Sequence, residues 1–273
     1  MAKHKVAAIQ MVSGTLVGPN LMTARNLIQK AVDQGAKLVA LPENFACMTL
    51  ESHEVHCIAE PFGNGRIQEW ASRISEELGI WLVAGSIPLQ SSNQLNKIRS
   101  ASLVFDDHGI IVGRYDKMHL FDVTIFASGE HYCESDNCEP GDQVVVVDTP
   151  FGKLGLSICY DLRFPELYRA LREKGADILL VPSAFTRTTG QVHWKPLLLA
   201  RAIENQCMVI APGQGGLHEN RRETYGHSMV ISPWGQIQSC LELGPGVALG
   251  EIDPLQCQIL REDFPVFAHR RIK

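Results

Sequence analysis

Gly155-Leu156-Ser157-Ile158-Cys159-Tyr160-Asp161-Leu162-Arg163-Phe164-Pro165-Glu166-Leu167 decides how the chain is read. The apolar opening with branched residues predicts a strand, and Pro165 suits the first turn of a following helix. Cys159 then sits on a strand-to-helix connection, where its side chain can point into a cleft beside exposed backbone N–H groups. Asp161 and Arg163 flank it, and both are costly in a sealed core.

The same alternation extends in both directions. Residues 5–10 and 37–41 read as strands around a helix over 20–34, with Asn20 as its cap and Gly35 as its stop. Glu43 follows the second strand, on the edge where open α/β sheets build their sites. A helix over 65–79 and a strand over 80–87 repeat the pattern. The segments 100–105 and 110–115 then flank Asp106-Asp107-His108-Gly109, a hairpin turn. Further hairpins are expected for 143–147 with 153–158 and for 228–232 with 236–240. Helices are expected over 165–174, 192–205 and 254–261, with strands over 177–181, 207–211 and 246–252. Residues 91–97 read as a turn. Residues 116–142 show no persuasive regular element, which marks them as a binding or active-site loop. No linker composition interrupts the chain, so residues 1–273 are expected to form a single α/β domain with mixed sheets.

Composition narrows the function classes. The 273 residues are 45% hydrophobic and 20% charged, as in a soluble globular protein, and the net charge of -5 argues against a nucleic-acid partner. No apolar run approaches the length of a membrane span, and the N-terminus passes directly into a strand instead of a signal-peptide core. The expectation is a soluble, cytoplasmic protein. Eight cysteines at irregular spacing read mostly as small core side chains. Cys133 and Cys138, near His131 and His119, lack the short two-cysteine knuckle of a zinc site, so no metal is expected.

A thiol attacks efficiently only when its proton is removed or its anion is stabilised. Ser157 lies two residues before Cys159 on the same side of an extended strand, and reads as a packed hydroxyl beneath the site. The stretch breaks the G-x-S-x-G serine elbow at its final glycine. Spacing alone does not choose a base for Cys159 among His193, His218, His227 and Glu43.

Three separated segments resemble the nitrilase superfamily of carbon–nitrogen hydrolases: Leu41-Pro42-Glu43-Asn44-Phe45, the stretch from Gly113 to Phe121 around Lys117, and Gly155 through Glu166. The likeness is greatest to amidases acting on deaminated glutathione. It continues through Pro182-Ser183-Ala184-Phe185-Thr186, His193-Trp194 and Tyr225-Gly226-His227-Ser228-Met229-Val230. The resemblance implies a four-layer α-β-β-α sandwich that assembles as a homodimer or higher homo-oligomer and needs no metal or organic cofactor. It places the family's catalytic glutamate, lysine and cysteine on Glu43, Lys117 and Cys159, with a second glutamate at Glu134. Glu43 would then act as base and acid in a pocket whose dryness raises its pKa. Lys117 and the Tyr160 N–H would hold the oxyanion, and a small carboxylate-bearing amide would pass through a thioacyl intermediate with release of ammonia. Arg187, Thr188, Arg163 and His218 are the expected substrate contacts. The alternatives are an omega-amidase acting on alpha-ketoglutaramate, a nitrilase or carbamoylase, and a non-catalytic interaction protein that retains the fold.

Overall fold

The computed structural model describes residues 3–94, 96–126 and 129–272. Met1, Ala2, Leu95, Ala127, Ser128 and Lys273 lie outside the described residues. They fall at the two ends, in the turn expected over 91–97 and in the segment 116–142. The first half runs β1 (His4–Gln10), α1 (Val17–Asp33), β2 (Ala36–Ala40), α2 (Arg66–Leu78), β3 (Trp81–Gln90), β4 (Ile98–Phe105) and β5 (Ile111–Asp116). A two-stranded ribbon, β6 (Asp122–Ile125) and β7 (Glu130–Cys133), leads to β8 (Val146–Thr149) and β9 (Gly152–Leu156). The chain continues through α3 (Pro165–Glu173), β10 (Ile178–Leu180), α4 (Arg187–Asn205), β11 (Met208–Ala211) and β12 (Met229–Ile231). It closes with β13 (Ile237–Cys240), β14 (Gly246–Ile252) and α5 (Pro254–Asp263).

Two six-stranded sheets result, ordered β14-β1-β2-β3-β4-β5 and β13-β12-β11-β10-β9-β8. Each is parallel at its centre, where helices supply the crossovers, and antiparallel at its flanks. The period of two along the strands explains the layering. Ala7, Ile9, Val39, Leu82 and Phe105 pack with Ala24, Ile28, Ile67 and Ile74 of α1 and α2. Their alternates Val6, Ala8, Leu38, Val83 and Val104 turn the other way, into a core with Leu154, Leu156, Val209 and Val230 of the second sheet. Leu167, Tyr168, Trp194 and Leu198 of α3 and α4 cover the far side. The order is helices, sheet, sheet, helices.

Three elements differ from the sequence expectation. Helix α1 begins at Val17, because Asn20 spends its amide on Gly14 and Ala46 from inside the helix and does not cap it. Helix α4 begins at Arg187 and not near 192. Thr186 accepts the Thr189 N–H as its cap, and the absent side chain of Gly190 leaves room for Tyr225, so local order overrides the weak helix propensity of the Thr/Gly run. Within 116–142 the β6–β7 ribbon forms, anchored by Phe121 against Tyr132 with ring centroids 5.1 Å apart.

The parallel strands end on one edge, and the functional loops leave from it. Glu43 follows β2, Cys159 follows β9, and Ala184 follows β10. Between Ala84 and Ile87 strand β3 carries a bulge, Gly85-Ser86 against Ser102 alone. Gly85 has φ of +30°, and a Cβ there would collide with Pro42 O, so only glycine lets the loop before Glu43 pass this closely. Ser86 Oγ accepts the Asn44 N–H at 2.9 Å and secures the loop on the other side of Glu43. Gly85→Ala should cost about 2–5 kcal/mol, combining positive-φ strain with overpacking. It should also lower kcat by displacing Glu43, as read by urea unfolding and steady-state rates. An unfolding midpoint equal to that of the parent would show that the close approach is unimportant.

Candidate active site

Lys117 leaves the end of β5 and is almost completely buried. Its Nζ donates to Glu43 Oε1 at 2.8 Å and to both Glu134 oxygens at 3.0 and 2.8 Å. Those three contacts use the ammonium's three protons. Glu43 Oε2 in turn accepts the Ala184 N–H at 2.9 Å, and Glu134 Oε2 accepts the Phe121 N–H at 2.7 Å. Cys159 lines the same cavity wall as Glu43, Lys117 and Glu134, close enough for its thiol to feel the charges of Glu43 and Lys117, so all four residues meet in one cluster.

The turn that presents Cys159 is a tight 3-10 segment, Cys159–Arg163, with Cys159 itself at φ of +48°. This left-handed conformation is unfavourable for a residue with a Cβ and persists only where the surroundings hold it. Two interactions do so. The Cys159 N–H donates to Pro182 O at 2.9 Å, and the fully buried Asp161 collects the groups around it. Asp161 Oδ2 accepts the Ile158 N–H at 2.8 Å and the Tyr115 hydroxyl at 2.7 Å, and Oδ1 accepts the His119 N–H at 3.0 Å with His119 Nδ1 at 2.7 Å. Tyr115 and His119 bracket Lys117, so one carboxylate ties the cysteine turn to the lysine segment. The first N–H groups of a helical turn lack partners within it, and the Tyr160 N–H makes no backbone hydrogen bond among the described residues. Beneath the site Ser157 Oγ contacts the Tyr168 hydroxyl at 2.8 Å and donates to Leu180 O at 2.7 Å.

The charges respond to one another. Burial pushes the Glu43 pKa up, but the charge and hydrogen bond of Lys117 outweigh it, and the carboxyl is held below its ordinary 4.5. This corrects the expectation that a dry pocket raises it. Burial also opposes the charge on Lys117, yet Glu134 and Glu43 hold its pKa well above 10.5. For Cys159, burial and then the Glu43 charge push the thiol far above 9.0, more than Lys117 pulls it down. The resting site is a thiol beside the Glu43–Lys117 ion pair, with Glu134 on the far side of the ammonium.

A cavity of about 650 Å³, within the usual range for small-molecule sites, opens over the cluster and reaches Met48, Tyr132, Arg163, Thr186, Thr189 and Arg222. Arg163 contributes to its wall, held by His193 Nδ1 at 3.0 Å and lying over the Tyr160 and Phe185 rings at 5.8 and 5.1 Å. Three of the four expected substrate contacts do not line it. Arg187 sits exposed in the first turn of α4, paired with Glu223 Oε2 at 2.8 Å, and Thr188 is also outside the cavity wall. His218 is buried behind the wall, not on its rim. Its Nδ1 contacts Ser13 O at 2.9 Å and its Nε2 contacts Thr224 Oγ1 at 2.8 Å. Among the histidines open as bases, His193 is spent on Arg163, His218 on Ser13 and Thr224, and His227 on Tyr225 O at 2.7 Å. Arg222 was not singled out in the sequence, because its partner Ala184 lies 38 residues away.

The sequence pattern of the carbon–nitrogen hydrolase family matches residues 5–262, and the chain belongs to that family. A deaminated glutathione amidase of Yersinia enterocolitica is 39% identical over 271 residues, covering 99% of this chain and 94% of the relative. The C. elegans NitFhit protein superposes with a TM-score of 0.90 at 37% identity, over 99% of this chain and 66% of that one. An amidase of Nesterenkonia sp. AN1, from the nitrilase superfamily, aligns with a TM-score of 0.78 at 25% identity, over 96% of this chain and 98% of its own. That structure carries acrylamide added to the active-site cysteine.

The depressed Glu43 pKa gives the pair a signed contribution to stability. It is present above 4.5 and is lost as pH falls through the lower folded value. Lys117→Met removes the strongest of the groups that lower the Glu43 pKa, so burial, the largest single cause, should raise the carboxyl above 4.5 and ionisation should cost stability as pH rises. The variant should lose about 3–5 kcal/mol at neutral pH. Urea midpoints should fall between pH 5 and pH 8 for the variant relative to the parent. Parallel pH curves would contradict this assignment.

Proposed function

We propose that the chain hydrolyses deaminated glutathione at the amide joining its 2-oxoglutaryl group to cysteinylglycine, with Cys159 as nucleophile. The observation that carries this reading is the Lys117 bridge, which holds a base against the thiol and places a buried cation beside it. The curated relative's substrate and the matching active-site cysteine of the Nesterenkonia amidase support it. Residues 1–273 act as one hydrolase unit, in keeping with the family match over 5–262 and the core shared by both sheets.

In the first half-reaction Cys159 Sγ attacks the amide carbon as its proton passes to Glu43. The displaced carbonyl electron pair forms an oxyanion facing Lys117 Nζ and the Tyr160 N–H, where such donors are worth several kcal/mol. Collapse breaks the C–N bond, and Glu43 returns the proton to the departing amine. This amide is secondary, so the leaving group is the dipeptide amine and not the ammonia expected for a primary amide. In the second half-reaction water attacks the thioester and gives its proton to Glu43. The thiol is regenerated as 2-oxoglutarate leaves. The approaching oxyanion draws Lys117 away from Glu43, which relaxes the depression of its pKa at the moment a base is needed. Glu134 keeps the ammonium in place throughout. Arg163 meets the carboxylate of the 2-oxo acid.

The proposal includes a cytoplasmic homo-oligomer. The eight cysteines are unpaired, which suits a reducing compartment. Val192, Ile203 and Trp234 form exposed apolar surface suited to a second copy of this chain. No helix among the described residues is long and apolar enough to cross a membrane.

Deaminated glutathione, alpha-ketoglutaramate, a simple nitrile and an N-carbamoyl amino acid separate the readings. Release of 2-oxoglutarate with cysteinylglycine reports the first, and release of ammonia reports the second. The highest kcat/KM is expected for deaminated glutathione, falling at least about 1000-fold in a folded Cys159→Ala protein. Preference for alpha-ketoglutaramate would make the chain an omega-amidase, and preference for the nitrile or carbamoyl compound would assign it to those classes. Absence of Cys159-dependent turnover on all four would leave a binding protein that retains the fold.

A further inference from the structure

Two arginines line the cavity half-buried without a carboxylate partner among the described residues, Arg163 and Arg222. Elsewhere Arg99, Arg114, Arg187 and Arg261 each meet a carboxylate. A guanidinium held partly out of water with no carboxylate in contact, Arg222 reaching Glu43 only through its field, is an incomplete ion pair, and the missing anion is most simply supplied by a ligand.

The position of Arg222 is built with care. It lies on the return arm of a loop between β11 and β12, closed by the Leu217–Glu223 bridge and by the His218 N–H donating to Arg222 O at 3.0 Å. His218 locks that loop. Ser13 O can only accept, so Nδ1 carries the proton and Nε2 accepts from the Thr224 hydroxyl. Arg222 Nη2 donates to Ala184 O at 2.6 Å, and its guanidinium lies 5.1 Å from the Tyr132 ring centre. Its Nε is buried and makes no hydrogen bond.

Ala184 fixes which end of a substrate this group faces. The same residue that accepts from Arg222 through its carbonyl donates its N–H to Glu43 Oε2 at 2.9 Å. Arg222 is therefore linked through a single residue to the carboxyl that protonates the departing amine, whereas Arg163 belongs to the cysteine turn and the acyl group that stays there. We infer that Arg222 is the anchor for a carboxylate on the leaving-group side of the scissile amide. The inference rests on the function proposed above and deepens it. The leaving group it selects is an amino-acid or dipeptide amine ending in a free carboxylate. A dipeptide places that carboxylate roughly 7 Å from the broken bond, at the extended reach of two residues. Two carboxylates on one substrate thus meet two unpaired arginines, and ammonia as leaving group would leave Arg222 unused.

Binding to Cys159→Ala protein tests this independently of turnover. The ligands are 2-oxoglutaryl-cysteinylglycine and the same compound with its C-terminal carboxylate converted to the amide. Titration calorimetry should find the free carboxylate bound roughly 10- to 100-fold more tightly, the range of a charge-assisted contact. Adding Arg222→Gln should bring the two affinities within about 2-fold, and Arg222→Lys should retain a reduced preference as a point charge. Equal affinities in Cys159→Ala protein overturn the inference without any further variant. A preference that survives Arg222→Gln overturns it as well, because another group then reads the carboxylate. If the parent fails to turn over deaminated glutathione while the binding preference follows Arg222, the proposed substrate falls and the carboxylate anchor stands.

Discussion

Lys117 is the one charge that the other groups of the site are arranged around. Its ammonium lies between two carboxylates at 2.8 Å each, almost fully removed from water. Without it, burial would drive the Glu43 carboxyl to take up a proton. A buried lysine without the two carboxylates would lose its own. Together Glu43 and Lys117 form a buried ion pair, while burial first and then the Glu43 charge keep the Cys159 thiol protonated at rest. In the proposed mechanism the nucleophile is thus stored as a thiol and released only when a developing oxyanion competes for the same ammonium. A resting thiolate would be more exposed to oxidation and adventitious alkylation.

The scaffold brings these charges together from separate strand ends. Glu43 depends on a glycine bulge in the neighbouring strand, Cys159 on a strained turn, and Lys117 on the hairpin between β4 and β5. Asp161 joins the last two by accepting from Ile158, Tyr115 and His119. A displacement of a few tenths of an ångström in any of these segments would lengthen a hydrogen bond that tunes a pKa. Rigidity at the sheet edge is therefore part of the chemistry, and the β6–β7 ribbon and the 217–223 loop shape the cavity.

Much of this was legible in the residues themselves. Short apolar runs and helical periodicities placed most strands and helices, because each sheet buries both faces and each helix one stripe. Cys159 and Glu43 stood out as polar groups at the ends of apolar strands, and the family resemblance added Lys117 and Glu134. What stayed hidden depends on long-range contact. The sign of the Glu43 pKa shift turns on a lysine 74 residues away. Arg187 reads as a loop residue because Thr186-Arg187-Thr188-Thr189-Gly190 has poor helix propensity, yet a cap and a glycine packed under Tyr225 make it helical and turn its side chain out to Glu223. Arg222 carries no local signal at all, since only the fold sets it against Ala184 and Tyr132.

In the proposed reaction Cys159 stores and releases an acyl group under control of the Glu43–Lys117 bridge. Rapid-quench mass spectrometry of the protein during turnover of deaminated glutathione tests it most directly. A 2-oxoglutaryl adduct on the Cys159 peptide, formed before free 2-oxoglutarate and absent in Cys159→Ala, is the predicted result. Hydrolysis at an undiminished rate in Cys159→Ala, or an adduct on another residue that forms and decays at the turnover rate, would contradict it.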